Sequence, residues 1–261
     1  MKVLFIGDII GNPGRKFIGR RLGAIKKDID CDLCIVNGEN SANGNGITYY
    51  IANELYNAGV DAITLGNHTW SKREIMNFID VEKRIVRPAN YPKELPGRGS
   101  TVINVKDKKV AIINVMGRVF MDNVDCPFKA VEREIEYVKD FTNIIIVDFH
   151  AEATSEKNAF KWFLNGKASL LVGTHTHVQT ADERVLNQGT AYITDVGMTG
   201  PSDGVIGFDK NIIIQKFLTL LPARYEVAKG KVQLNAVVVD IDENSGKALG
   251  IERINTIYND F

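Results

Sequence analysis

The chain contains four histidines, and each lies at or just past the end of an apolar run. Five short segments share this design: Gly7-Asp8, Gly38-Glu39-Asn40, Gly66-Asn67-His68, Asp148-Phe149-His150 and Gly173-Thr174-His175-Thr176-His177. Carboxylate, carboxamide and imidazole side chains are the donors that hold divalent cations. Cations held in this way activate water and take up the charge that develops on phosphate or carbonyl oxygens. A lone histidine is more often a hydrogen-bonded, partly buried side chain. Asp8, Asn40 or Asn67 taken singly could equally cap a helix or make a turn. Four histidines all at strand ends, two of them one residue apart, fit those readings poorly. His175 and His177 point to one side if their strand continues, and are adaptable donors if it has become a loop.

Such segments need strands to position them. The patterning predicts strands at 2–7, 33–36 and 61–65, with helices opening at Asn12-Pro13 and running over 48–58 and 71–79. In the first helix Asn12 reads as the cap and Pro13 as the first helical residue, with Phe17, Ile18, Leu22 and Ile25 at helical spacing. Repeated strand–helix units imply a largely parallel sheet buried on both faces. Pro88, Pro92 and Pro96 make 87–97 an extended loop. Residues 101–105 and 110–115 read as a hairpin, and helices over 127–140 and 155–164 lead into strands 144–147 and 169–172. The last third reads as mainly β, at 190–194, 212–218, 232–240 and 248–254, with Val232, Leu234, Ala236 and Val238 alternating as in a half-buried strand. No repeat or linker interrupts the chain, and candidate residues lie on both sides of the proline loop. The expectation is one α/β domain over 1–261, a layered sandwich of two mixed sheets flanked by helices. In open α/β sheets ligands bind beyond the carboxyl ends of the strands, where all five segments fall.

Composition excludes more than it assigns. With 261 residues, 44% hydrophobic and 25% charged, the chain is long enough to bury a substantial core. Lys plus Arg and Asp plus Glu number 32 each, so neither a stable nucleic-acid complex nor attraction to an anionic membrane is expected. No run is long and apolar enough for a membrane span, and Val3-Leu4-Phe5-Ile6 meets Asp8 too soon to be a signal-peptide core. Three cysteines argue against a disulfide scaffold and for a reducing cytoplasm.

The ordered set Gly-Asp, Gly-Glu-Asn, Gly-Asn-His, a histidine ending a strand and Gly-x-His-x-His resembles the calcineurin-like metallophosphoesterase superfamily. Met1 to Arg15, Val36-Asn37-Gly38-Glu39-Asn40, Thr64 to Trp70, Asp148 to Glu152 and Gly173 to Val178 are similar to its bacterial YmdB-like branch of 2′,3′-cyclic nucleotide phosphodiesterases. The likeness runs to Phe217-Leu218-Thr219-Leu220-Leu221-Pro222 and beyond. Two departures from the wider superfamily, Asp8-Ile9-Ile10 in place of Asp-x-His and Gly38-Glu39-Asn40 in place of Gly-Asp-x-x-Asp, are those of that branch. The resemblance implies a β-sandwich flanked by helices and two metal ions. One would be held by Asp8, Glu39, Asn40 and His177, the other by Glu39, Asn67, His150 and His175, with Glu39 bridging. Iron or manganese suit so oxygen-rich a set, with zinc a further candidate. A hydroxide bridging the metals would attack phosphorus in line, with His68 as general acid to the leaving oxygen. The implied substrate is a small phosphodiester, 2′,3′-cAMP and related nucleotides opened to 3′-phosphates. Oligomerisation of the chain with itself stays open.

Other features carry less. Cys31-Asp32-Leu33-Cys34 enters a strand instead of opening a helix, so its thiols read as small core groups and not a redox pair. Arg15, Lys16, Arg20 and Arg21 read as a solvated helix face, the alternative being that Arg15 attracts phosphate near Asp8. The turns 11–14 and 43–46 lack the Gly-Lys-Ser/Thr of a P-loop. Trp70 and Trp162 read as core, although Trp70 is close enough to His68 to wall a base pocket. Rival readings are a phosphomonoesterase, a barrel amidohydrolase and a regulatory metalloprotein without turnover. The late position of the H-x-H pair disfavours the barrel, and the presence of His68 with a full ligand set disfavours the regulator.

Overall fold

The computed structural model describes residues 1–259. The first part alternates as the patterning requires: β1 (Lys2–Ile6) and β2 (Asp8–Ile9), α1 (Gly11–Asp28), β3 (Leu33–Asn37), α2 (Tyr49–Asn57), β4 (Ala62–Thr64), a short 3-10 helix (Arg73–Asn77) and β5 (Ile85–Val86). The hairpin β6 (Ser100–Val105) and β7 (Lys108–Met116) precedes α3 (Pro127–Val138), β8 (Ile145–His150), α4 (Thr154–Leu164) and β9 (Leu170–Thr174). The chain closes with β10 (Arg184–Val185), β11 (Ala191–Ile193), β12 (Met198–Pro201), α5 (Lys210–Thr219), β13 (Val232–Ile241) and β14 (Ala248–Tyr258).

The strands form two mixed sheets, ordered β2-β12-β13-β1-β3-β4-β5, with β14 on the free side of β13, and β10-β11-β9-β8-β7-β6. β1, β3, β4 and β5 run parallel, as do β7, β8, β9 and β11. Strand alternation sorts the side chains into layers. Val3, Phe5, Leu33 and Ile35 from the first sheet meet Ile112, Ile146, Leu170 and Val172 from the second in a shared core. Leu4, Ile6, Cys34 and Val36 face the other way, onto Phe17, Ile18 and Leu22 of α1 and Leu55 of α2. Ile113, Val147 and Leu171 likewise meet Val131 of α3 and Phe160 and Leu164 of α4. The result is a helix–sheet–sheet–helix sandwich with its parallel strands ending on one side. No described helix is long and apolar enough to cross a membrane.

Three element expectations are corrected. Residues 212–218 are not a strand but lie in α5, where Asp209 caps the first turn by accepting from Asn211 N at 2.9 Å and Ile212 N at 3.2 Å. The β-branched run Ile212-Ile213-Ile214 suggested a strand, yet α5 rests on the molecule mainly through buried Ile213. The helix expected over 71–79 shrinks to the 3-10 turn, whose one buried residue, Ile75, gives no stripe for a longer helix to bury. In α1 the cap is Ile10, with no side-chain cap bond, and Asn12 lies inside the first turn. The Gly11 N–H is satisfied instead by Asn40 O at 3.0 Å. The proline loop is held by Arg87, which donates to the carbonyls of Pro88, Leu95 and Pro96 at 2.8–2.9 Å. Cys31 and Cys34 are free thiols, and burial pushes the Cys34 thiol up, as suits a core group.

Candidate metal centre

All eight candidate residues stand at carboxyl ends of parallel strands. Asp8 begins β2, reached through Gly7, where a Cβ would fall 2.1 Å from Gly197 O, a close approach only glycine permits. Glu39 and Asn40 follow β3, and Asn37 Oδ1 fixes the turn by accepting from Glu39 N at 3.1 Å. Asn67 and His68 follow β4. A Cβ on Gly66 would lie 2.4 Å from both Glu39 Oε2 and His150 Nε2, so these two donors pack directly on its backbone. His150 ends β8, and His175 and His177 lie just past β9 in a loop, with φ of 102° and 65°. Two non-glycine residues in left-handed conformation mark a segment whose surroundings hold it against its preference.

Around His150 Nε2 the geometry is crowded with electron-pair donors: Glu39 Oε1, Asn67 Oδ1 and His175 Nδ1 each lie 3.0 Å away. Glu39, His150 and His175 bring ligand atoms within 4.8 Å of one another. Asp8 joins the group through His175 N, which donates to its Oδ2 at 3.2 Å, and stands 4.0 Å from His150 Nδ1. Glu39 faces two ways, Oε1 toward His150 and Oε2 accepting from His68 N at 2.8 Å. Asn40 and His177 are buried and line the same cleft as Glu39, His68 and His175, but are not drawn into the close cluster of Glu39, His150 and His175. His68 is half-buried, with its ring Nδ1 3.4 Å from Ser71 Oγ.

Hydrogen bonding fixes which imidazole nitrogens face the site. Thr174 Oγ1 donates its only proton to Asp148 Oδ1 at 2.7 Å, so it accepts from His150 Nδ1 at 2.8 Å. That leaves His150 Nε2 turned to the crowded side. Asp148 is itself held by Asn37 Nδ2 at 3.0 Å and Thr64 Oγ1 at 2.5 Å. His177 Nδ1 donates to Ile206 O at 3.0 Å, which frees Nε2. His175 Nε2 pairs with Glu152 Oε2 at 3.2 Å, which frees Nδ1 toward His150. Oriented imidazoles with their far nitrogens tied to oxygen are the arrangement that metal ligation requires.

Charge and burial agree with a cation between these groups. Burial raises Asp8 well above the usual carboxylate range, partly opposed by His150 and reinforced by Glu39, Asp195 and Asp148. Burial would raise Glu39 also, but the charge and hydrogen bond of His150, with His68, pull it down to about 2. Burial would lower His150, yet Glu39, Asp8 and Asp148 hold it up to about 9. Burial and the neighbouring His150 depress His175 to about 3. The acids thus keep a proton at His150 that a cation would displace. Two further atoms point the same way. Asp8 Oδ1 and Asn40 Oδ1 are buried without a hydrogen-bond partner among the described residues, an arrangement that costs stability unless something electropositive faces them.

Several residues that position the site carried no assignment in the sequence. Asp195, past β11, accepts from Lys157 Nζ at 2.7 Å, Thr176 N at 3.1 Å, Thr176 Oγ1 at 2.8 Å and Gly197 N at 2.8 Å. Lys157 also donates to Thr174 O at 2.8 Å, so this pair pins the histidine loop from beneath. A signal existed: Lys157 falls in the apolar stripe of α4 with Phe160 and Leu164, and Asp195 repeats the strand-end design. Arg15, conversely, is engaged by Glu54 Oε2 at 2.9 Å and Ser41 O at 2.6 Å and is not placed to meet phosphate. Trp70 packs edge-on against Tyr91 and joins the core of the first sheet. The site opens into a cleft of about 1070 Å³, whose walls include His68, Lys72, Glu152, Arg224, Phe208 and Tyr225.

Residues 4–254 match the family model described as YmdB-like protein. The chain belongs to the YmdB-like family. Among its relatives, a 2′,3′-cyclic-nucleotide 2′-phosphodiesterase of Bacillus subtilis is 51% identical over 254 residues, covering 97% of this chain and 96% of that protein. A crystal structure described as a novel phosphatase from Mycoplasma pneumoniae superposes with TM-score 0.93 at 38% identity, covering 100% of this chain and 94% of that one. A hypothetical protein from Thermus thermophilus superposes with TM-score 0.92 at 40% identity, covering 98% and 99%. The YmdB-like fold is therefore shared across the whole sandwich, both sheets and their flanking helices included.

Proposed function

We propose that this chain is a metal-dependent phosphodiesterase that opens 2′,3′-cyclic nucleotides to 3′-nucleotides. The observation that carries the reading is the pair of buried oxygens without a partner among the described residues, Asp8 Oδ1 and Asn40 Oδ1, in the site where donors of Glu39, Asn67, His150 and His175 converge. Asp8, Glu39, Asn40 and His177 would hold one cation, and Glu39, Asn67, His150 and His175 a second. The two Glu39 oxygens meet different neighbours, Oε1 near His150 Nε2 and Oε2 bonded to His68 N, and a carboxylate with two oxygens is able to serve two cations, which supports its sharing. When bound, such cations supply Lewis-acid polarisation of the phosphate and of the attacking water. The 51% identical relative, by its name a 2′,3′-cyclic-nucleotide phosphodiesterase, supports the substrate class.

The chain's own residues account for the remainder. His68 stands at the cleft with its backbone anchored on Glu39, and its ring would give a proton to O2′ as the P–O2′ bond breaks. The Asp148–Thr174 pair fixes a proton at His150 Nδ1, so that Nε2 is the nitrogen that would lose its proton to a cation. Lys72 and Arg224 bring positive charge to the cleft of a chain whose formal net charge is zero, beside its acids Glu39, Glu152 and Glu226.

The test is hydrolysis of 2′,3′-cAMP, 3′,5′-cAMP and p-nitrophenyl phosphate side by side, with metal content measured on the same preparation. Turnover of 2′,3′-cAMP by metal-loaded protein is expected. Activity on the monoester alone would overturn the diesterase reading, and bound metal without diester turnover would turn it toward a regulatory binder.

A further inference from the structure

Phe208 and Tyr225 share the cleft with Glu39, His68, His175 and His177, yet the chemistry above gives them no role. Their rings lie 5.6 Å apart between centroids and are tilted by 51°. That is too close for a third ring to enter between them, so they make one wall and not a clamp. Val227 extends the same wall.

The wall is built into the donor site. A Cβ on Gly44 (φ +96°) would fall 2.6 Å from Phe208 Cε1, so the ring packs on the bare backbone of the turn at 43–46. The carbonyl of that same Gly44 accepts from Asn40 Nδ2 at 2.9 Å and so turns Asn40 Oδ1 the other way. Two residues before Phe208, Ile206 O accepts from His177 Nδ1. Phe208 is also bridged to Val205 and to Val227. Tyr225 is steadied by Lys216, whose ammonium lies 4.6 Å from the ring centroid and donates to the phenol oxygen, yet the residue remains 40% exposed.

We propose that Phe208 and Tyr225 form a stacking platform for the substrate's nucleobase, an inference that rests on the phosphodiesterase reading. A cleft of about 1070 Å³ holds much more than a phosphate diester. Its donor side suits the phosphate and ribose, and its aromatic side suits a planar apolar group joined to them. Every base has a π face, so the platform tolerates different bases and favours a nucleoside over a diester that lacks one.

The experiment compares kcat/KM for 2′,3′-cAMP with that for methyl riboside 2′,3′-cyclic phosphate, which has the same reacting ring but no base. Phe208→Leu, which keeps apolar bulk against Gly44, and the exposed Tyr225→Ala are measured beside the native protein. The native preference for 2′,3′-cAMP is expected to fall about tenfold in each variant. An unchanged preference ratio would overturn the platform, whatever happens to the two rates separately. Calorimetric binding of adenosine to the metal-loaded proteins supplies a readout without turnover. Native binding weakened in both variants supports the platform even if neither diester is hydrolysed, a result that would sink only the phosphodiesterase reading. Equal adenosine binding by all three proteins, or none by the native one, would overturn the platform.

Discussion

Lys157→Met would leave the Asp195 carboxylate buried without its countercharge and Thr174 O with only the longer bond from Ala151 N at 3.4 Å. Removing one partner of a buried pair costs about 3–5 kcal/mol, and here the strain of two left-handed histidines is released with it. Metal affinity should drop about 10–100-fold, the usual effect of losing a group that orients ligands. Metal retained per chain after gel filtration checks this; native stoichiometry at limiting metal would show that the pair does not orient the histidines. His68→Ala is expected to behave oppositely, keeping its metal while turnover falls about 10²–10⁴-fold. Loss of metal from that variant would end the division of roles between His68 and the other histidines. At this scale the residues that the fold brings together at the strand ends were legible, because each sits in a short contiguous motif. The Asp148–Thr174–His150 relay was not. It exists only because β8 and β9 pair with His150 opposite Thr174, and register is not written in either strand alone.

The parallel strands were legible as elements because burial on both faces makes them continuous apolar runs. α5 was not. Its Ile212-Ile213-Ile214 run carries strand preference, and Ile214, Phe217 and Leu218 are exposed, so no helical stripe stood out. Asp209 was the local clue, since a short polar acceptor before a run is a helix start. Asp209→Ala should therefore destabilise by about 1 kcal/mol through loss of that cap, read as a lower urea midpoint with metal content unchanged. An unaltered midpoint would mean that α5 is held by its flanking segments and not by its first turn. The same element bears on the platform, because Lys216 of α5 is the residue that steadies Tyr225.

Across the whole molecule, Asp8, Glu39, Asn40 and Asn67 come from the first sheet, and His150, His175 and His177 from the second. A cation that engages both sets binds only the folded sandwich and stabilises it by mass action, about 2.7 kcal/mol at a hundred times its dissociation constant. Chelation should lower the unfolding temperature by roughly 5–10 °C for a chain of this size. Calorimetry with and without chelator checks it, and coincident transitions would exclude a stabilising link between the sheets through a bound cation. The two-sheet architecture was legible from the order of elements, whereas the face-to-face meeting of the two donor sets was not. That meeting depends on how Phe5 and Ile35 interdigitate with Ile146 and Val172. Packed sheets stand about 10 Å apart, so these aliphatic and aromatic groups act as the caliper that sets the span between the two donor sets. Trimming a methyl there would let the two donor sets approach without altering one of them, so the spacing offered to a cation would be set by residues that never meet it.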